Sequence, residues 1–115
     1  MSETHSVVLT AVRDRAEAET LARWLVNHRL AACVQITAIN SFYLWKDELQ
    51  QDDEYLLLIK TVARRYDDIE AAVLAHHSYE VPEIVELPIQ RGLPAYLAWL
   101  EESTAALPPA GEVAS

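Results

Sequence analysis

The stretch Glu54-Tyr-Leu-Leu-Leu-Ile-Lys-Thr-Val62 decides how this chain folds. It is rich in apolar and β-branched residues, which predicts a strand. Side chains alternate along a strand, so Leu57 faces one side of the sheet while Leu56 and Leu58 face the other. A strand with one solvated face would alternate with polar residues instead. Both faces are apolar here, and the chain has too few helices to cover two sides. We therefore expect another copy of the chain to supply the missing cover.

A second long strand is predicted immediately before this one. Residues 30–45 contain too many β-branched and aromatic side chains for a helix, and we expect a strand that is bulged or bent near residues 37–40. Residues 46–53 are polar and acidic and are predicted to connect it to a third strand over residues 54–62. The two strands would form a hairpin whose arms exceed the usual strand length of roughly 17–20 Å.

The segments around the hairpin predict one more strand and two helices. Residues 7–12 form a short β-branched run, and Asp14 with Glu17 makes a capping-box pattern at the start of a first helix. Asp67 and Asp68 favour the start of a second helix. Apolar positions recur at helical spacing in both. They are Ala18, Leu21, Ala22 and Leu25 in the first helix, and Ile69, Ala72, Val73 and His76 in the second.

A fourth strand and a third helix are predicted near the end of the chain. Residues 81–89 form the strand, in which Pro82 and Pro88 suit a sheet edge. Gly92 ends it, and Pro94 suits the first turn of a helix. The buried stripe of that helix is expected to contain Leu93, Tyr96, Leu97 and Leu100.

The predicted order of elements is β-α-β-β-α-β followed by a helix. This is the α+β, ferredoxin-like arrangement, in which two crossover helices pack on one face of an antiparallel sheet. We expect a single ferredoxin-like domain over residues 1–107 and a flexible C-terminal tail over residues 108–115, where prolines and a glycine cluster. The fold alone indicates no function.

The composition excludes several classes of protein. The 115 residues carry a formal net charge of −9 without any basic cluster, so nucleic acid and anionic membranes are unsuitable partners, whereas cations are attracted. No apolar run approaches the roughly 20 residues that span a bilayer, and no signal peptide is expected. The single cysteine, Cys33, cannot form an internal disulfide, which favours a cytoplasmic location. On a strand it is expected to pack as a small buried side chain.

The stretch His76-His77-Ser78-Tyr79-Glu80-Val81-Pro82-Glu83-Ile84 is the strongest indication of chemistry. Imidazole and carboxylate together are usual ligands of borderline transition metals. His76 falls on the apolar stripe and is expected to be partly buried, whereas His77 lies about 100° further round the helix and is expected to be exposed. Two interpretations stay open. The residues form a metal site through His76, His77 and Glu80, or they only close a helix and seat its last turn.

A second candidate site is a polar, aromatic cleft between subunits. Tyr43 and Trp45 are two residues apart and therefore share a face. The paired strand contributes the acidic Glu54 and the basic Lys60. Such a cleft could bind a small ligand, or the aromatic rings could pack in an interface. Tyr79 and Glu83, which follow the second helix, could add oxygen ligands to such a site. Alternatively, Tyr79 packs at the end of the helix and Glu83 faces solvent. The residues concerned are Tyr43, Trp45, Glu54, Lys60, Tyr79 and Glu83.

Five blocks of sequence, in order, resemble the CutA family. They are Leu30-Ala-Ala-Cys-Val34, Ser41-Phe-Tyr-Leu-Trp45, Glu54-Tyr-Leu-Leu-Leu-Ile-Lys-Thr61, His76-x-x-Tyr79-Glu80-Val81-Pro82-Glu83-Ile84 and Gly92-x-x-x-Tyr96-Leu97-x-Trp99-Leu100. The resemblance implies a cytoplasmic, very stable homotrimer of ferredoxin-like subunits with long hairpins that pair with neighbours. It also implies tolerance of divalent cations such as copper, no established catalytic activity, and an architecture similar to nitrogen-regulatory signal proteins, which bind small ligands between subunits.

The chain departs from the family pattern at three places. Ser78 stands where the family usually has proline, and Lys46-Asp47 replaces an acidic residue followed by glycine. The copper site proposed for the family includes a thiol at the end of the first strand, where this chain has Thr10. Threonine is a poor copper ligand, so only His76 and His77 carry over, and the resemblance implies a weaker site here or none.

The favoured hypothesis is a non-enzymatic homotrimer with a metal-linked or small-ligand-linked regulatory function. Cu²⁺ or another divalent cation would bind weakly through His76 and His77, with Glu80 as a helper, and Cu²⁺ is favoured because it heads the divalent affinity series. One alternative is a signalling or scaffold trimer without a tight metal site. Another is an acylphosphatase-like enzyme built on Arg13 and Asn40, but no Gly-rich loop follows the first strand to cradle a phosphate.

Overall fold

The computed structural model of the chain describes residues 4–105 and consists of a four-stranded antiparallel sheet with three α-helices. Its elements are β1 His5–Val12, α1 Arg15–Asn27, β2 Cys33–Trp45, β3 Glu48–Val62, α2 Tyr66–His76, β4 Val85–Ile89 and α3 Pro94–Ser103, with a 3₁₀ turn at Ala63–Arg65. The predicted order β-α-β-β-α-β plus a helix is confirmed. The predicted tail, residues 108–115, lies outside the described residues.

One face of the sheet is covered by α1 and α2. The strand order is β2-β3-β1-β4, so β1 and β3 lie in the centre, and their alternate residues point at the helices. This side forms the hydrophobic core, because the residues from both layers are almost completely excluded from solvent. They are Val8, Val12, Leu57 and Ile59 from the strands and Leu21, Leu25, Ile69 and Val73 from the helices.

The opposite face of the sheet is covered only in part. α3 reaches it at the start of β1, where the Nε2 atom of His5 lies 2.7 Å from the Oε2 atom of Glu101. Further along the sheet Leu58 is only half-buried, and Val85 and Leu87 on the edge strand β4 are exposed. The two apolar faces predicted for β3 are therefore present, but one of them lacks a complete cover.

The hairpin of β2 and β3 is longer than predicted. Its register runs without a break from Cys33↔Lys60 to Trp45↔Glu48, so the bulge expected near residues 37–40 is wrong. Residues 48–53, predicted as a connection, belong to β3. They are polar because this part of the strand projects beyond the helices, where no core selects apolar side chains. Lys46 and Asp47 alone form the turn, both with positive φ, as in the tight turns that suit twisted strands.

The helix ends agree with the prediction in part. The Asp14 carboxylate accepts a hydrogen bond of 2.8 Å from the Glu17 backbone N–H, so the predicted cap of α1 is confirmed. In α3, Pro94 is in the first turn as predicted and Leu100 is fully buried, but Leu93 and Tyr96 are exposed. Helical spacing shows which residues share a face, and it does not show whether one chain covers that face.

The fourth strand is shorter than predicted, because β4 begins at Val85 rather than at residue 81. Residues 77–84 form an irregular segment between α2 and β4. This segment passes the end of β1, and it brings Tyr79 and Glu83 to the outer half of the hairpin. No helix among residues 4–105 is long and apolar enough to cross a membrane.

Candidate functional site: an acidic, aromatic cleft

A cleft of about 600 Å³ lies between the outer half of the hairpin, the end of β1 and the segment of residues 77–84. Five of the six residues that the sequence suggested for a ligand pocket or interface line it: Tyr43, Trp45, Glu54, Tyr79 and Glu83. The sixth, Lys60, does not. Its Nζ atom donates to the Oε1 atom of Gln35 at 2.7 Å, nearer the base of the hairpin.

The hairpin register places the cleft residues on one face. Tyr43 is opposite Gln50 and Trp45 is opposite Glu48, so odd-numbered residues of β2 share a face with even-numbered residues of β3. Asp52 and Glu54 lie on this face, which is the one that α1 and α2 leave uncovered. The unbroken pairing of the two strands therefore fixes the floor of the cleft.

Glu54 and Tyr79 form the most buried polar pair in the cleft. Glu54 is only 7% exposed, and the Tyr79 hydroxyl donates to its Oε2 atom at 2.7 Å. Burial raises the pKa of Tyr79, and the neighbouring Glu54 carboxylate raises it further. The phenol thus stays protonated and serves as a fixed donor to a buried carboxylate, which needs such a partner.

Tyr43 makes an equivalent contact closer to solvent. Its hydroxyl donates to the Oδ2 atom of Asp52, and this hydrogen bond raises the pKa of Tyr43. Both phenols of the cleft therefore donate to carboxylates of β3. As a result the cleft presents aromatic rings and acceptor oxygens to a ligand.

Arg13 is the cationic residue that lines the cleft, opposed by the carboxylates of Asp52, Glu54, Glu80 and Glu83. Its guanidinium carbon lies 5.7 Å from the centre of the Tyr79 ring, within range of a cation–π interaction. Asn40, the other residue of the enzymatic alternative, lies on the opposite face of β2 and donates to Asp53 at 2.5 Å. The two residues do not form a common phosphate cradle.

His77 is engaged through both ring nitrogens. The β1–β4 pairing ends at Leu9↔Val85, and beyond it the Ala11 carbonyl accepts a hydrogen bond of 2.7 Å from the His77 Nε2 atom. The Nδ1 atom accepts one of 3.1 Å from the Tyr79 backbone N–H. His77 is half-buried, so the predicted exposure is wrong. The ring closes the end of the sheet and has no free lone pair for a metal.

His76 is the more open of the two histidines. The sequence predicted it to be partly buried, but the last turn of α2 extends past the core and the ring is exposed. Its Nδ1 atom donates to the Ala72 carbonyl at 2.8 Å, which leaves the Nε2 lone pair free. The ring lies 5.2 Å from that of Trp24, and Trp24 stacks on His28 at 3.9 Å.

The residues suggested for copper are not brought together as one site. Glu80 is exposed and lines the cleft, which His76 and His77 do not line. Over residues 4–105 no group of three or more His, Cys, Asp or Glu side chains could hold a metal ion. The Thr10 hydroxyl is fully buried and lacks a hydrogen-bond partner in the described chain. The donor set therefore does not fit the three-ligand site that the resemblance implies.

Comparison with known proteins decides the family. A sequence model of the CutA1 divalent ion tolerance protein family matches residues 6–103. The chain belongs to this family. A divalent-cation tolerance protein CutA from Thermus thermophilus is 46% identical over 99 residues, which cover 85% of this chain and 96% of the relative. The chloroplastic protein CutA of Arabidopsis thaliana is 42% identical over 99 residues, with 85% of this chain and 54% of that protein covered.

Solved structures of the CutA family share the fold. The periplasmic divalent cation tolerance protein CutA from Archaeoglobus fulgidus has a TM-score of 0.86 at 34% identity, over 88% of this chain and 99% of that chain. The divalent cation tolerance protein from Thermus thermophilus has a TM-score of 0.85 at 45% identity, over 88% of this chain and 99% of that chain. The four-stranded antiparallel sheet with its three helices is thus the CutA fold.

Sequence reasoning did not assign the charged residues Asp52 and Arg13 to the cleft. Asp52 was assigned to a connection, although it is two residues from Glu54 and would share its face if the strand were extended. Arg13 was considered only for a phosphate site. The signal for it is the end of β1 at Val12, which places the next side chain at the rim of the sheet.

Proposed function

We propose that the chain acts as a non-enzymatic homotrimer in the cellular response to divalent metal ions. Two observations on the chain support a link to cations. Its family is described by divalent ion tolerance, and its net charge of −9 attracts cations. The observation that carries the proposal of an assembly is the partly uncovered apolar face of the sheet.

That face has the character of an interface. On the projecting hairpin Leu44 and Leu49 are 70% and 71% exposed on the other face, beyond the reach of the helices. On the uncovered face itself, Val85 and Leu87 are exposed beside the half-buried Leu58. Contiguous exposed apolar surface of this kind marks an interaction site in soluble proteins. The chain is also elongated, with a radius of gyration of 15.5 Å against about 13 Å for a compact domain of 100 residues. A hairpin that projects this far has neighbouring subunits as its natural support.

Sedimentation equilibrium of the full chain tests the assembly. We expect a trimer, and we expect Leu87→Glu to shift it toward smaller species because a charge would enter the apolar face. Glu102→Gln on the exposed side of α3 is the control and should leave the mass unchanged. A well-folded, long-lived monomer of the unmodified chain at working concentration would overturn the proposal.

Copper, in this proposal, is bound weakly and through His76 rather than through a His76–His77 pair. The free Nε2 atom of His76 supports this assignment, because its Nδ1–H bond to the Ala72 carbonyl fixes the tautomer in the way that is usual for metal ligands. The geometry of His77 also supports this assignment, because both of its ring nitrogens already make hydrogen bonds.

Isothermal titration of Cu²⁺ into single variants separates the two histidines. His76→Ala should remove most of the weak copper binding, whereas His77→Ala should keep it and instead lower thermal stability. Unchanged copper affinity in His76→Ala would exclude this residue as a ligand. Loss of binding in a folded His77→Ala variant would show that the ring leaves Ala11 to reach the metal.

A second candidate function is the binding of a small molecule in the cleft, as a signalling trimer without a tight metal site. The specific observation in its favour is the volume of about 600 Å³, which falls in the range of small-molecule sites. Its walls combine the aromatic rings of Tyr43, Trp45 and Tyr79 with polar and charged groups, so a ligand could make both kinds of contact.

The cytoplasm is the proposed location. The support is the single cysteine, which cannot pair within the chain. Relatives carry the descriptions chloroplastic and periplasmic, so the family is not confined to one compartment. Fractionation of the source cells with a tagged full-length protein tests the location, and recovery outside the cytoplasmic fraction would overturn it.

A further inference from the structure

We propose that the cleft binds a small organic cation, a molecule with amino or guanidinium groups on an apolar frame. This inference rests on the second proposed function, that the cleft is a small-molecule site, and it names the class of ligand. Three features carry it: the charge of the cleft, a buried carboxylate whose donor is a neutral phenol, and the aromatic walls.

The charge of the cleft selects a cation. The carboxylates of Asp52, Glu54, Glu80 and Glu83 line it against the single guanidinium of Arg13. In a concave site with walls of low dielectric constant, charges of one sign focus their field and raise the local concentration of the opposite ion. A phosphate-bearing ligand would meet repulsion from the carboxylates, with Arg13 as its one cationic contact.

Glu54 shows where a positive group would bind. It is 7% exposed, and the Tyr79 hydroxyl is bound to its Oε2 atom alone. The donor in this hydrogen bond is a neutral phenol. A buried carboxylate gains from a second, charged donor. An ammonium or guanidinium group that enters the cleft supplies this donor.

The aromatic walls favour an organic cation over a bare ion. Tyr43, Trp45 and Tyr79 line the cleft, and in the single chain Trp45 is 44% exposed, so its ring can contact a molecule that enters the cleft. Cations with alkyl groups are attracted to such ring faces. Arg13 already uses this interaction with the Tyr79 ring, which shows that the cleft accepts a guanidinium.

The spacing of the carboxylates argues against a metal ion in the cleft. A hard divalent ion needs several oxygen ligands that converge within about 2.0–2.6 Å of one point. Within the described part of the chain no three acidic, histidine or cysteine side chains gather in this way. Carboxylates spread along a cleft match a longer ligand whose positive groups are also spread.

Titration calorimetry of the full chain with spermidine tests the inference. Binding to the unmodified protein should be saturable, and Glu54→Gln should weaken it about tenfold, because a charged hydrogen bond becomes a neutral one. Glutamine still accepts from the Tyr79 hydroxyl, so the cleft keeps its shape. Glu102→Gln is the matched control, because it removes the same charge from an exposed position away from the cleft.

Two further variants test the sign of the ligand's charge and its contact with the Trp45 ring. Arg13→Ala should strengthen spermidine binding by about twofold, because it removes a like charge, whereas it would weaken an anionic ligand. Trp45→Ala should weaken spermidine binding by about threefold through the lost ring face. Equal affinity in the unmodified, Glu54→Gln and Glu102→Gln proteins would mean general counterion binding and would overturn the inference.

Adenosine triphosphate as a second probe separates this inference from the function on which it rests. If it binds in preference to spermidine and Arg13→Ala weakens it, the cleft is a ligand site but the cationic class is wrong. If neither probe binds at millimolar concentration, both the proposed ligand class and the proposed small-molecule function are wrong. The trimer and the binding of copper at His76 are unaffected by either result.

Discussion

The two faces of the sheet differ although the same strands build both. On the face under α1 and α2, Leu57 and Ile59 are fully buried. On the other face their neighbours Leu56 and Leu58 are only half-buried, and the outer part of the same strand carries the acidic cleft. The first face is complete within a single chain where α1 and α2 cover it, whereas the second leaves apolar and charged surface exposed.

The two faces should therefore contribute to stability in different ways. A dry core of close-packed side chains stabilises one chain irrespective of concentration. The open face can contribute fully only when something covers it, so its energetic weight depends on assembly and ligand. Substitutions on the two faces should therefore differ in size and in their dependence on protein concentration.

The largest effect is expected for Leu57→Ala. The side chain is fully buried between the sheet and the helices, so its truncation leaves a cavity and should lower the free energy of unfolding by about 3 kcal/mol. Chemical denaturation at two protein concentrations measures this, and the loss should be the same at both.

Leu58→Ala is the adjacent control on the open face. It should cost less, about 1 kcal/mol, at low protein concentration, and more at high concentration, where the proposed assembly would bury the side chain. An equal decrease in the free energy of unfolding for Leu57→Ala and Leu58→Ala at every protein concentration would contradict the proposed difference between the two faces.

The next effect is expected for Tyr79→Phe on the open face. The variant keeps the ring but leaves the buried Glu54 carboxylate without its hydroxyl donor, and should lower the free energy of unfolding by about 2 kcal/mol. Tyr43→Phe is the control. Its hydroxyl also donates to a carboxylate, but at an exposed position where water can replace the lost partner, so the loss should be much smaller.

The contribution of Tyr79 should also depend on pH. Its pKa in the folded protein is raised above the ordinary value of 10.0, by burial first and by the Glu54 hydrogen bond second. The unfolded chain therefore loses this proton at a lower pH than the folded chain. The stabilisation is complete below about pH 10 and falls as the pH rises toward the folded value. The stability difference between the unmodified protein and Tyr79→Phe should shrink in that alkaline range, and parallel pH curves would contradict the assignment.

Much of the fold could be predicted from local patterns. The Asp14 cap, the two-faced third strand and Pro94 at the start of α3 are each set by neighbouring residues, and all three are present. The outer half of the hairpin could not be predicted, because residues 48–53 carry polar side chains that are typical of a loop. Their strand conformation comes from pairing with β2, which is a non-local interaction.

The candidate site could be predicted only in part for the same reason. Alternation along β2 was enough to pair Tyr43 with Trp45, and the cleft contains both. The histidines were assigned from helical geometry, yet His77 is determined by the end of the β1–β4 pairing, where the Ala11 carbonyl needs a donor. The sequence shows which side chains could bind a ligand. Whether such a side chain is free to do so depends on hydrogen bonds to other elements, which only the folded structure shows.

The smallest effect tests how completely the helix-covered face is apolar. Two threonines are fully buried on it: Thr61 donates to the Leu30 carbonyl at 2.6 Å, whereas the Thr10 hydroxyl has no partner in the described residues. Valine has nearly the same shape, so Thr10→Val removes an unsatisfied hydroxyl and should raise the free energy of unfolding by about 1 kcal/mol. Thr61→Val removes a made hydrogen bond and should lower it by about 1 kcal/mol. Thermal unfolding of the two variants should thus shift in opposite directions. A loss of stability in Thr10→Val would mean that its hydroxyl has a partner in the assembled protein, and the face under α1 and α2 would then not be complete within one chain.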